Sequence, residues 1–86
     1  MFYVYILKSK KDDKLYIGST NDLRKRFKEH NSGKVRSTKS RTPLKIAYYE
    51  AYTSEEDARN REQQLKLRAR ALRQLLNRVR KSIILT

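Results

Sequence analysis

The chain is predicted to be a small α+β protein, a three-stranded antiparallel sheet flanked by helices in the order β-β-α-β-α-α. Three observations carry this. Two short runs rich in β-branched and aromatic residues, Phe2 to Leu7 and Leu15 to Ser19, are joined by a polar turn. A third such run spans Leu44 to Tyr52. Beyond it no Gly or Pro appears up to Thr86, and Leu72, Leu75, Leu76, Val79 and Ile83 recur at helical spacing. At 86 residues the chain is one domain, 1–86, with a modest core and no room for a deeply enclosed site.

The elements follow in order. The short turn at Lys10 to Asp13 makes the first two strands an antiparallel hairpin. Asn21 or Ser19 is expected to cap a helix from about Asp22, with Leu23 and Phe27 on one face and Gly33 as its stop. Lys34 to Pro43 is a basic loop. The third strand carries apolar residues on both faces, Ile46 and Tyr48 on one, Ala47 and Tyr49 on the other, which suits a sheet covered on both sides. Ser54 starts the next helix, and Glu55, Glu56 and Asp57 fill its first turn. A break is expected near Lys66 to Arg70, because one unbroken helix cannot fold back on so small a sheet.

Composition narrows the function classes. Lys and Arg number 22 against 9 Asp and Glu, a net charge of +13. Such an excess implies a polyanionic partner, nucleic acid first and an anionic membrane second. No apolar run is long enough to span a bilayer. The start of the chain lacks a signal-peptide layout, so cytoplasmic residence is the default expectation. With no Cys and a single His, thiolate chemistry and zinc-finger sites are excluded, and any metal is a hard cation held by oxygen.

Five side chains are candidates for chemistry. Tyr5 and Tyr16 lie opposite or diagonal across the hairpin, where their hydroxyls can meet; cross-strand aromatic pairs also simply stabilise hairpins. Gly18 costs strand stability, which points to a close backbone or ligand approach, or else to a bulge. Arg26 and His30 are four apart on one helix face, beside the Leu23/Phe27 stripe. There an Arg aims its fork at a phosphate or snorkels, and a His donates to a phosphate oxygen, relays a proton or meets the helix dipole. Glu62 is the sharpest residue, because Ala58, Leu65 and Ala69 place it within an apolar helical stripe. A core-facing carboxylate is expensive unless it binds a metal or pairs with a cation such as an Arg. The loop residues Lys34, Arg36, Thr38, Lys39 and Arg41 offer a phosphate-backbone surface rather than a base reader; the alternative is a solvated loop.

Taken together, these residues resemble the GIY-YIG nuclease superfamily, and the small stand-alone bacterial members most of all. The first motif stands as Tyr3-Val4-Tyr5, a departure from Gly-Ile-Tyr, and the second as Tyr16-Ile17-Gly18. The run Gly18 to Phe27 resembles the family's lead into its first helix, Ser37 to Leu44 its basic loop, and Ala58 to Lys66 its second-helix motif. The resemblance implies a three-stranded sheet with the first strand central. It implies one Mg²⁺ or Mn²⁺ ion on Glu62, Arg26 stabilising phosphoryl charge, His30 beside it, and Tyr5 or Tyr16 positioning or deprotonating water. A tyrosine, with a pKa of about 10, needs nearby cations to serve as a base. The family's late asparagine has no clear match: Asn77 comes slightly early, and Lys81 stands in the comparable region.

The first expectation is therefore a metal-dependent endonuclease or DNA-processing and repair nuclease of low sequence specificity. Its substrate is DNA, single-stranded, branched or duplex, or RNA. The alternative is a non-catalytic basic nucleic-acid-binding module. Membrane binding through the C-terminal amphipathic helix ranks last, since its stripe is better spent on the core.

Overall fold

The computed structural model describes residues 1–86. Strands β1 (Phe2–Ser9), β2 (Leu15–Thr20) and β3 (Leu44–Tyr52) form one antiparallel sheet in the order β2-β1-β3, so the first strand is central. Helix α1 (Leu23–Asn31) lies between β2 and β3 in sequence. After β3 come α2 (Glu55–Leu67), α3 (Ala69–Arg78) and a short α4 (Arg80–Leu85).

Alternation along β1 divides the core. Val4 and Ile6 are buried with Ala58 and Leu65 of α2 and Leu75 of α3. Tyr5 and Leu7 point the other way and are buried with Leu44 beneath Leu23 and Phe27 of α1. A central strand buried on both faces reads as a continuous apolar run, as this one does. Each aliphatic side chain so buried contributes about 1.5–3 kcal/mol.

The third strand has the expected bounds but not the expected faces. Ile6 pairs with Tyr48 and Leu7 with Ile46, so Ala47 is an extra residue in a β-bulge. The bulge breaks the two-residue period. Ile46 joins Tyr5 and Leu7 on the α1 side, whereas Tyr48 joins Val4 and Ile6 on the α2 side.

Asp22 itself caps α1, its carboxylate accepting from Lys25 N at 3.1 Å, in place of the expected Asn21 or Ser19. Gly33 follows with φ +78, the left-handed conformation that ends a helix. Ser54 caps α2 and accepts from Asp57 N at 3.2 Å. The expected break falls at Arg68, which is extended. A second break, at Val79, was not expected. It keeps Val79 and Ile83 against the core, and Lys8 Nζ donates to the Ile83 carbonyl at 3.0 Å.

One polar network ties α2 to β3. Arg61 donates to Glu50 through Nε at 3.2 Å and Nη2 at 3.1 Å. The Tyr48 hydroxyl donates to the same carboxylate at 2.9 Å, and the Tyr52 hydroxyl donates to its other oxygen.

Candidate active site

β2 is an edge strand with α1 on one face of the sheet and α2 on the other. Side chains from both helices therefore meet around its rim.

On the α1 side, Tyr5 pairs with Gly18 across the ladder, and Tyr16 is diagonal to it with ring centroids 6.5 Å apart. A Cβ on Gly18 would stand 2.6 Å from Tyr5 Cζ, so the missing side chain is the space the Tyr5 ring fills. Gly18 is buried, which corrects its expected role as a nucleic-acid contact. His30 is fully buried, its ring 5.7 Å from that of Tyr5 and 5.0 Å from that of Tyr16. Tyr5 Oη lies 2.9 Å from His30 Nε2, and His30 Nδ1 lies 2.7 Å from Thr38 Oγ1. Burial pushes the Tyr5 hydroxyl up to about 12, against the pull of the Arg26 guanidinium. Burial, helped by Arg26, holds His30 below its usual range. Tyr5 thus keeps its proton, and the imidazole bridges its hydroxyl to that of Thr38 through the two ring nitrogens.

On the α2 side, Glu62 lies between the buried Ala58 and Leu65, its side chain 19% exposed. Ala69, expected in the same stripe, is exposed because the helix has broken one residue earlier. Ser19 Oγ donates to Glu62 Oε1 at 2.5 Å, and Lys66 Nζ donates to Oε2 at 2.6 Å. Burial pushes the carboxyl up, but these two bonds outweigh it and leave the pKa below the ordinary value. Lys66 Nζ also stands 5.9 Å from the centre of the Tyr16 ring, so it bridges the two halves of the site around the β2 edge.

Arg26 is half-exposed and pairs with Glu29 at 3.2 Å. It lines an open cleft of about 360 Å³ with Ser19, Asn21, Lys25, Ala58 and Arg59. Glu62 sits one helical turn beyond that wall and reaches it through Ser19. The structure therefore brings Tyr5, Tyr16 and His30 together directly, and joins Glu62 to them through Lys66.

The basic loop divides. Lys34, Arg36 and Lys39 are exposed and make no ion pair. Thr38 is fully buried, its hydroxyl spent on His30, so it positions the imidazole and is not a surface contact. Arg41 turns inward, 3.6 Å from Asp12. Asn77 is exposed on α3 and lines a different cleft with Arg78, Arg80 and Lys81, so it takes no part in this cluster. Sequence reasoning missed Ser19 and Lys66. Both carried a signal: Lys66 is four residues past Glu62, and Ser19, two residues after Ile17, shares its face of β2.

The donor set fits one kind of metal. No three His, Cys, Asp or Glu residues are grouped to hold an ion. A single ionised carboxylate with a hydroxyl beside it suits a hard cation that keeps most of its waters, as Mg²⁺ and Mn²⁺ do.

The chain is similar to known proteins over most of its length. Residues 1–77 match the family model described as the GIY-YIG catalytic domain. A UPF0213 protein of Clostridium perfringens (strain 13 / Type A) is 46% identical over 67 residues, 77% of this chain and 71% of that one. A UPF0213 protein of Haloquadratum walsbyi is 36% identical over 75 residues, 86% of this chain and 83% of its own. The solution NMR structure of a UPF0213 protein from Bacillus halodurans is similar at TM-score 0.56 and 39% identity, covering 90% of this chain and 84% of that one. No helix is long and apolar enough to cross a membrane. The match supports a nuclease-type function with a nucleic-acid substrate, and the chain belongs to the GIY-YIG family.

Proposed function

We propose that this chain is a divalent-metal-dependent endonuclease that hydrolyses phosphodiester bonds with little sequence preference, acting in the cytoplasm on DNA or RNA. The observation that carries the reading is an ionised carboxylate, Glu62, joined through Lys66 to the Tyr16–His30 pair at one open sheet edge and through Ser19 to the cleft that Arg26 lines.

Glu62, with Ser19 beside it, would hold one Mg²⁺ or Mn²⁺ ion. Bound there, the ion supplies Lewis-acid charge to the phosphate. Lys66, which holds Oε2, would yield that oxygen to the ion and would remain as a cation beside the phosphate. Arg26 stabilises charge on the phosphoryl oxygens. Tyr16 is better placed than Tyr5 to orient the attacking water. Tyr5 is buried, pushed up to about 12 and bonded to His30, whereas Tyr16 is half-exposed beside Lys66. Tyr5 and Thr38 fix the imidazole that packs against Tyr16. The exposed Lys34, Arg36 and Lys39 contact phosphates, which position but do not read sequence.

The test is a cleavage panel of labelled single-stranded, branched and duplex DNA and RNA, with and without each metal, for wild type and Glu62→Gln. The reading expects metal-dependent cuts that Glu62→Gln removes. Binding without cleavage, or equal cleavage by both proteins, overturns it in favour of a non-catalytic binding module.

A further inference from the structure

Charge is segregated beyond Glu62. No acidic residue follows it, while α3, α4 and the breaks before them carry Arg68, Arg70, Arg73, Arg78, Arg80 and Lys81. All six are exposed and none forms an ion pair. Elsewhere four arginines are matched: Arg26 with Glu29, Arg41 with Asp12, Arg59 with Glu55 and Arg61 with Glu50. A helix kept soluble by charge interleaves both signs. One sign alone repels itself, and a polyanion relieves that repulsion.

Position adds a second argument. α2 carries Glu62 and runs through Arg68 straight into α3, so the basic track starts at the active site. It lies on the α2 side of the sheet, opposite the face where the Lys34–Lys39 loop packs against His30. A helix of 10 residues is about 15 Å long. At about 3.4 Å per nucleotide along one strand, that is the reach of roughly four phosphates.

We infer that α3 and α4 form a second phosphate-backbone surface, which holds the arm of the nucleic acid running away from Glu62. The substrate is then gripped on both faces of the sheet, by the loop on one side of the scissile bond and by α3 and α4 on the other. The inference rests on nucleic acid being the substrate, but not on cleavage.

The test is fluorescence anisotropy with labelled duplexes of increasing length across a salt series. Glu62→Gln serves as parent so that nothing is cut, and Arg70→Gln/Arg73→Gln/Arg80→Gln is built on it. These three side chains are exposed and bonded to nothing, and circular dichroism checks that the variant folds. Each lost phosphate contact lowers the slope of log affinity against log salt by about 0.9 on duplex. The triple variant is expected to lose about 2 or more from that slope and to bind at least about tenfold more weakly at about 0.1 M salt. It should also lose the affinity that the parent gains on longer duplexes. An unchanged slope overturns the inference. So does loss of binding to phosphatidylglycerol vesicles with nucleic-acid binding intact, which assigns the surface to a membrane. A parent that binds no nucleic acid at any salt overturns the nuclease reading together with this one. A parent that binds without wild type ever cleaving overturns that reading alone.

Discussion

Arg61 and Glu62 are neighbours on α2, yet they serve opposite edges of the sheet. Arg61 reaches Glu50 on β3, and Glu62 reaches Ser19 on β2. The two carboxylates are about equally covered, 15% and 19% exposed, and both are held below the ordinary value. In each, burial pushes the pKa up and hydrogen bonds outweigh it. They differ in what supplies those bonds. Glu50 has the two-pronged guanidinium of Arg61 and two tyrosine hydroxyls, which leave no oxygen free. Glu62 has one hydroxyl and one Lys whose side chain is 44% exposed. A guanidinium fork is rigid and an ammonium on a flexible stem is exchangeable. The difference teaches that burial alone does not mark a working carboxylate. The β3 edge is a clamp, and the β2 edge is a seat whose occupant can be changed.

The largest expected effect separates the edges by activity. Glu62→Gln should lower metal-stimulated cleavage by about 100-fold or more while the thermal unfolding midpoint stays near wild type. An equal loss in a stably folded Glu50→Gln would break the comparison. The next separates them by stability. Glu50→Ala strands Arg61 and two hydroxyls, and should cost about 2 kcal/mol in urea unfolding, less than for a fully buried pair because this one is partly open. Its remaining folded fraction should cut within a few-fold of wild type.

Acid should sharpen the same contrast. Both folded-state values are lowered, so each carboxylate stabilises the fold above its unfolded value, about 4.5, and the gain is lost as pH falls through the lower folded value. Urea midpoints between pH 6 and pH 3 should therefore fall for wild type and fall less for Glu50→Gln. The smallest effect concerns the seat itself. Lys66→Met removes the competing ammonium and should tighten Mn²⁺ binding about threefold, the scale of a partly exposed ion pair, as read by electron paramagnetic resonance. Weaker binding would make Lys66 a support of the metal rather than its rival.

What was legible in the sequence was local. The bounds of β3, the Ser54 cap and the break at Arg68 follow from residue type and spacing within a few positions. So did the diagonal Tyr5–Tyr16 pair, because a short turn leaves little choice of register. The rest depended on contacts remote in sequence. The bulge at Ala47 arises from pairing with β1, and it sends Ile46 and Tyr48 to opposite faces. Thr38 looked like a loop hydroxyl facing solvent until its partner His30 was known. Gly18 pointed correctly to a close approach, but the approaching group is the protein's own Tyr5. Asn77 matched by order along the chain, and α3 carries it away from the cluster.

The central place of β1 has a consequence for how the chain acquires its shape. Tyr5 meets Gly18 only 13 positions away on one side, and Tyr49 44 positions away on the other. The hairpin can zip early, but the second flank of β1 waits for a long loop to close. Until residues 44–52 dock, a strand with four successive buried apolar positions, Val4 to Leu7, offers an open flank to any other strand. On a ribosome, where residues emerge one by one, that interval is the chain's most vulnerable moment, and it ends only when β3 arrives.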